Sequence, residues 1–143
     1  MRFMYGIIFL AILAVVSFWW IWLNPYSFTF SETTLNIDQE AEHRVFAFGT
    51  LTNPVVRTLV IFGYVPTKPG QLEGYERYRL DLLPKEGAIT HGRVFYVNAK
   101  QLRRLDRYER VGVKYERYLY TLSDGKPAWV YRRITEINPP RND

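Results

Sequence analysis

Cysteine is absent from this 143-residue chain, which removes disulfides, thiolate metal ligands and cysteine nucleophiles together. Histidine is nearly as scarce, with only His43 and His91. A structural zinc site is built from a full tetrahedral set of N and S ligands, so zinc is not expected. G-x-S-x-G, P-loop and dinucleotide fingerprints are also missing, so those enzyme classes find no support. No internal repeat or low-complexity tract occurs. Neither sign of charge dominates: 19 Lys and Arg against 14 Asp and Glu give +5, with a pI of about 9.5. Bases and acids interleave, as in Lys85-Glu86, Arg107-Tyr108-Glu109-Arg110 and Lys114-Tyr115-Glu116-Arg117. That mixture reads as an ordinary solvated surface, so nucleic acid is not an expected partner.

Charge is missing altogether from Phe3 to Leu23. About twenty apolar residues at ~1.5 Å each cross a hydrocarbon core of ~30 Å, and the run is apolar on every side. Trp19, Trp20 and Trp22 gather at its end, with Tyr26 beyond, as in an interfacial aromatic belt. Asn24-Pro25 then stops the helix. A cleaved signal peptide is the rival reading, but bulky Trp and Tyr stand where small cleavage-site residues belong. A buried core helix would be shorter. The expectation is a single-pass anchor over 1–24, contacting a membrane through 3–23. Arg2 precedes the run, whereas Glu32, Asp38, Glu40 and Glu42 follow it and the next base is Arg44. Counting bases near the ends favours an extracytoplasmic domain.

Residues 25–42 read as a polar tether that has room for a short strand at Phe28 and Phe30. The folded domain is placed at 43–137 and a loose tail at 138–143. Within the domain, Val45-Phe46-Ala47-Phe48 is an apolar strand stopped by Gly49. Asn53-Pro54 opens a helix, with Asn as N-cap and Pro at the first helical position. Val56, Leu59, Val60 and Phe62 are its apolar residues, and Gly63 suits C′. Residues 71–83 read as extended and 92–97 as a strand. Asn98 caps a second helix from Ala99 to about Arg110, with Leu102 and Leu105 on one face. Residues 115–122 and 128–134 form a hairpin around Ser123-Asp124-Gly125-Lys126. The order is β-α-β-β-α-β-β, an α+β domain with mostly antiparallel strands.

Two segments carry candidate chemistry. Phe48-Gly49-Thr50-Leu51 takes a strand through a glycine turn into a helix. Bare amides at such a turn bind carboxylates, and glycine lets the backbone come close. Glu109 closes the second helix, four residues after Leu105 and on the same inward face. Burial and the negative end of the helix dipole both raise a carboxyl pKa toward the range useful for acid/base work. Spacing alone leaves open an exposed Glu109 paired with Arg104 or Arg110. Tyr115 borders the pocket or packs in the core, Asp106 stabilises its helix or orients a neighbour, and His91 reads as a surface residue.

In order, the chain shows Phe48-Gly49-Thr50-Leu51, Gly92-Arg93-Val94-Phe95-Tyr96-Val97, Leu105-Asp106-Arg107-Tyr108-Glu109-Arg110 and Tyr115-Glu116-Arg117. This succession resembles the γ-glutamylcyclotransferase-like (AIG2-like) family over about Val45 to Arg132. The resemblance implies a small mixed barrel with flanking helices. It implies that Phe48, Gly49, Thr50, Leu51 and Tyr115 surround a γ-glutamyl substrate and that Glu109 carries the proton. It also implies an intramolecular cyclisation to 5-oxoproline with release of an amine or amino acid, needing neither metal nor cofactor. Phe48 stands where the family usually has tyrosine. Arg110 replaces a common glycine, which would crowd the cleft or pair with Glu109. The alternatives are a non-catalytic module of the same fold that holds a γ-glutamyl or amino-acid ligand, and a structural role in a membrane complex.

Overall fold

The computed structural model describes residues 2–22 and 37–134, with side-chain surroundings for 5–18, 20 and 37–134. The Asn24-Pro25 helix stop, Tyr26, the suggested strand at Phe28 and Phe30, most of the tether and the tail 138–143 lie outside the described residues, as do the side chains of Trp19 and Trp22.

Helix α1 (Arg2–Trp22) forms where the uncharged run predicts a helix. The membrane reading is corrected here: among the described residues no helix is long and apolar enough to cross a membrane. Trp20, assigned from sequence to a membrane interface, instead lines a cavity of the domain. The single-pass anchor, the membrane contact and the extracytoplasmic placement therefore do not stand.

The domain is built on a five-stranded sheet in the order β2-β3-β1-β5-β4. The strands are β1 (His43–Ala47), β2 (Lys68–Tyr78), β3 (Asp81–Val97), β4 (Tyr115–Thr121) and β5 (Pro127–Arg133). A 3-10 turn (Thr50–Thr52) and helix α2 (Pro54–Ile61) join β1 to β2, and helix α3 (Ala99–Glu109) joins β3 to β4. All neighbours are antiparallel except β1 and β5, which run parallel at Val45 and Trp129. The sheet curls into a half-barrel. Its edges β2 and β4 are not ladder partners, but the Ser123 amide after β4 donates to the Gln71 carbonyl of β2 at 3.0 Å. The expected barrel is thus an open one with flanking helices.

From Val45 onward the central strand β1 is apolar because both its faces are covered. Val45 and Ala47 pack with Leu51, Ile61, Phe95, Leu102 and Leu105 on the helical side. Phe46 and Phe48 pack with Leu72, Leu82, Val94 and Val130 on the other. Gly92 of β3 is required by this closeness: a Cβ there would sit 2.3 Å from the Ala47 carbonyl oxygen. β3 runs far beyond the expected 92–97. Its first half pairs with β2 alone, and such a single-sided stretch accommodates Pro84.

Helix α2 is capped as its sequence predicts, the Asn53 side chain accepting from the Val55 and Val56 amides. Its buried face differs from the expected one. Arg57 and Ile61 are buried, whereas Leu59 and Phe62 are exposed, and the left-handed C-cap is Phe62 (φ 53°), not Gly63. Polar anchoring explains both. Arg57 Nη1 donates to the Leu51 carbonyl at 2.9 Å, turning that face inward. Arg104 Nη1 donates to the Ile61 carbonyl at 2.7 Å and stacks 4.6 Å above the Phe62 ring. Helix α3 opens with a full capping box between Asn98 and Gln101.

Candidate active site

Glu109 is the last residue of α3. Leu102 and Leu105 on its face are fully buried, so the helix lies flat on the sheet and Glu109 is drawn to the rim of the core. One turn earlier, Asp106 is clamped from the sheet. Tyr131 of β5 donates its hydroxyl to Asp106 Oδ1 at 2.7 Å, and Arg117 Nε of β4 stands 3.5 Å from the same oxygen. Burial raises the Asp106 carboxyl, and Arg117 and then Tyr131 partly offset that rise. The cluster locks α3 to two strands one turn before Glu109. The Leu-Asp-x-x-Glu and Tyr-x-Arg pieces noted in sequence are therefore physically one unit.

Opposite α3, β1 runs through Phe48 and Gly49 into the 3-10 turn. The Thr52 amide and hydroxyl both donate to the Gly49 carbonyl, at 3.1 and 2.7 Å, and the Asn53 amide to that of Thr50 at 3.1 Å. From beneath, Arg57 grips the Leu51 and Thr52 carbonyls at 2.9 and 3.3 Å. The turn's carbonyls are thus occupied. Its amides are not: among the described residues, the N–H groups of Gly49, Thr50 and Leu51 enter no hydrogen bond. N–H groups left open at a turn are donors that can hold an anion.

The turn and the helix end face one cavity of about 700 Å³. Its walls include Phe48, Gly49, Thr50 and Leu51 from the turn and Tyr108, Glu109 and Arg110 from the end of α3. Tyr115, Tyr131 and Arg133 come from β4 and β5, Leu80 from the β2–β3 hairpin, and Trp20 from α1. Thr50 Oγ1 and the Tyr108 hydroxyl are 3.2 Å apart and tie the two sides together. Every residue singled out in sequence as catalytic or substrate-binding lines this cavity. His91 does not; it is exposed on β3, its Nδ1 3.4 Å from Gln71 Nε2.

Burial lifts the Glu109 carboxyl from 4.5 to about 7. Among the described residues it is in no ion pair. Arg104 is spent on the end of α2. Arg110 is exposed in the left-handed C-cap position at φ 53°, and neither arginine offsets the rise. The Tyr115 phenol is raised as well, by burial first and by Glu109 second. No cluster of three or more His, Asp or Glu forms among the described residues. Sequence reasoning missed Arg57, Tyr131, Arg133, Trp20 and Leu80. Arg57 carried one readable signal, an arginine among the apolar residues of a short helix; the others are brought in by strand pairing and chain return.

Comparison with known proteins was made against this geometry. The sequence matches no curated protein. A protein of Arabidopsis thaliana known from its solution structure superposes with a TM-score of 0.58 at 24% identity, over 76% of this chain and 77% of that one. A structure described as a gamma-glutamyl cyclotransferase superposes with a TM-score of 0.53 at 14% identity, over 66% of this chain and 68% of that one. At such identities the likeness is one of fold. The sequence family described as gamma-glutamyl cyclotransferase, AIG2-like, matches residues 45–142, from the first buried strand past the last, and the chain belongs to that family.

Proposed function

We propose that the protein is a γ-glutamyl (amine) cyclotransferase in which Glu109 moves the proton. The observation that carries this reading is one carboxyl raised to about 7 by burial, in the same cavity as a turn with open amides. The substrate's α-carboxylate is held by the N–H groups of Gly49, Thr50 and Leu51, between Phe48 and Tyr115. Its α-ammonium then lies toward Glu109. The carboxylate takes a proton from the ammonium, and the freed amine attacks the γ-carbonyl carbon. The tetrahedral intermediate collapses as Glu109 returns the proton to the departing nitrogen, and the second proton shed by the ring nitrogen passes to the released amine, which leaves as its ammonium. One C–N bond forms, one breaks, and 5-oxoproline leaves with an amine or amino acid. Because nucleophile and electrophile share a molecule, holding the folded conformer supplies much of the rate. A base poised near neutral pH supplies the rest.

The test is 5-oxoproline release by the full chain from a panel of γ-glutamyl amides. Product that disappears in Glu109→Gln, with the circular dichroism spectrum unchanged, supports the reading. Ligand binding without product across the panel favours the alternative, a non-catalytic module that holds a γ-glutamyl or amino-acid ligand, and Phe48 in place of tyrosine is the feature that keeps it in play.

A further inference from the structure

The cavity has a marked charge asymmetry. Arg110, Lys114 and Arg133 all line it, and among the described residues Glu109 is the one acid in its wall. All three bases are exposed, so they form the lip rather than the floor. The tight turn after α3 sets two of them there: the Val113 and Lys114 amides donate to the Arg110 carbonyl at 3.0 and 2.9 Å. The β4–β5 ladder sets the third, with Arg133 directly across from Tyr115.

None of the three is in an ion pair among the described residues. The acid near Arg133 is Asp81, which accepts the Arg133 backbone amide at 3.0 Å and stands 3.8 Å from the Arg132 guanidinium. Arg107 also reaches the wall but has interactions of its own. Among the described residues, the three lip cations are thus without an acidic partner.

This step rests on the cyclotransferase reading. There the glutamyl carboxylate is met by backbone amides and its ammonium by Glu109, so the lip cations face the remainder of the molecule, the departing amine. A volume of about 700 Å³ is within the range that houses drug-sized ligands, so space remains beyond one glutamyl group.

We propose that the preferred leaving amine carries two negative charges, which Arg110, Lys114 and Arg133 bind. Two carboxylates, as in an acidic amino acid, or one phosphate would supply that charge. The bonds made and broken stay those of the cyclisation, and both protons shed by the α-ammonium end on the released amine. A bare alkylamine would leave the lip unfilled, and a cationic one would be repelled.

The experiment compares kcat/KM for 5-oxoproline release by the full chain from four γ-glutamyl amides, those of butylamine, glycine, glutamate and phosphoethanolamine. A carboxylate ~7 Å from each of three cations in water gains roughly threefold per cation. The expected rise is therefore about tenfold or more for each added negative charge at low salt, shrinking strongly at ~1 M salt, where the Debye length is ~3 Å. The faster of the two doubly charged substrates tells carboxylate from phosphate. In Arg110→Gln/Lys114→Gln/Arg133→Gln the ratio of doubly charged to neutral substrate is expected to fall toward one. Equal rates across the wild-type series would overturn the inference, whether or not that variant folds. If no amide yields product, the cyclisation reading fails instead. The lip is then read by calorimetric titration of the same four amides: the same charge order upholds it, and a flat order overturns it.

Discussion

The hydroxyls of Thr50 and Tyr108 lie 3.2 Å apart, joining the turn after β1 to the residue just before Glu109. The two halves of the cavity, far apart in sequence, are thus held at a fixed separation. Tyr108→Phe removes this tie and leaves the ring in place. A single exposed hydrogen bond contributes roughly 0.5–1.5 kcal/mol. The expected result is a stability loss within that range by urea titration, with KM for the γ-glutamyl amide rising more than kcat falls.

Glu109 makes stability depend on pH. Its carboxyl is raised from 4.5 to about 7, so between those values the folded chain holds more protons than the unfolded one. Stability from this group is full at low pH, falls as pH rises through that window and is flat above it. Partial exposure of the side chain limits the swing to roughly 1–2 kcal/mol. Glu109→Gln, neutral at every pH, is expected to melt above the wild type at pH 8 and level with it near pH 4.5, read by calorimetry at matched salt.

Arg57 supports the turn through the Leu51 and Thr52 carbonyls and lies 5.5 Å from the Phe95 ring centre. Arg57→Met keeps most of the buried volume but leaves those carbonyls without their donor. Losing hydrogen bonds from a buried charged group costs about 1.5–3 kcal/mol. The expected outcome is that loss in chemical denaturation, with ligand affinity falling further than stability accounts for.

Two backbone positions give changes of opposite sign. Gly92→Ala would set a methyl 2.3 Å from the Ala47 carbonyl and against Phe46; overpacking of this kind costs about 1–3 kcal/mol, and the end of β1 would shift with it. Arg110→Gly relieves a left-handed residue at φ 53° and is expected to gain about 1 kcal/mol. It is also expected to lower the preference for doubly charged leaving amines. Thermal melts of both variants check the signs.

Much of this architecture is legible in sequence because it is local. Asn98 and Gln101 announce α3, Asn53-Pro54 announces α2, and the turn at 123–126 announces the last hairpin. Gly49 and Glu109 are legible as candidates because one follows an apolar strand and the other continues an apolar helix face. What was not legible depends on partners distant in the chain. Pro84 and Gly87 hide the first half of β3, which is held extended by β2. The inward turn of Arg57 is set by carbonyls of the preceding turn. The parallel pairing of β1 with β5 brings Tyr131 beneath α3, and no short-range pattern encodes it. The uncharged run of α1 reads as a membrane span on hydropathy alone, yet its Trp20 lines the domain's own cavity.

The most direct measurement is a carbon-13 NMR titration of the Glu109 side-chain carboxyl in the full chain, assigned by comparison with Glu109→Gln. The account predicts a midpoint near the value of about 7 set by burial, and the same midpoint in the rising limb of kcat/KM against pH. A midpoint near the ordinary glutamate value of 4.5 would show a carboxyl open to water and would contradict the proton-transfer role.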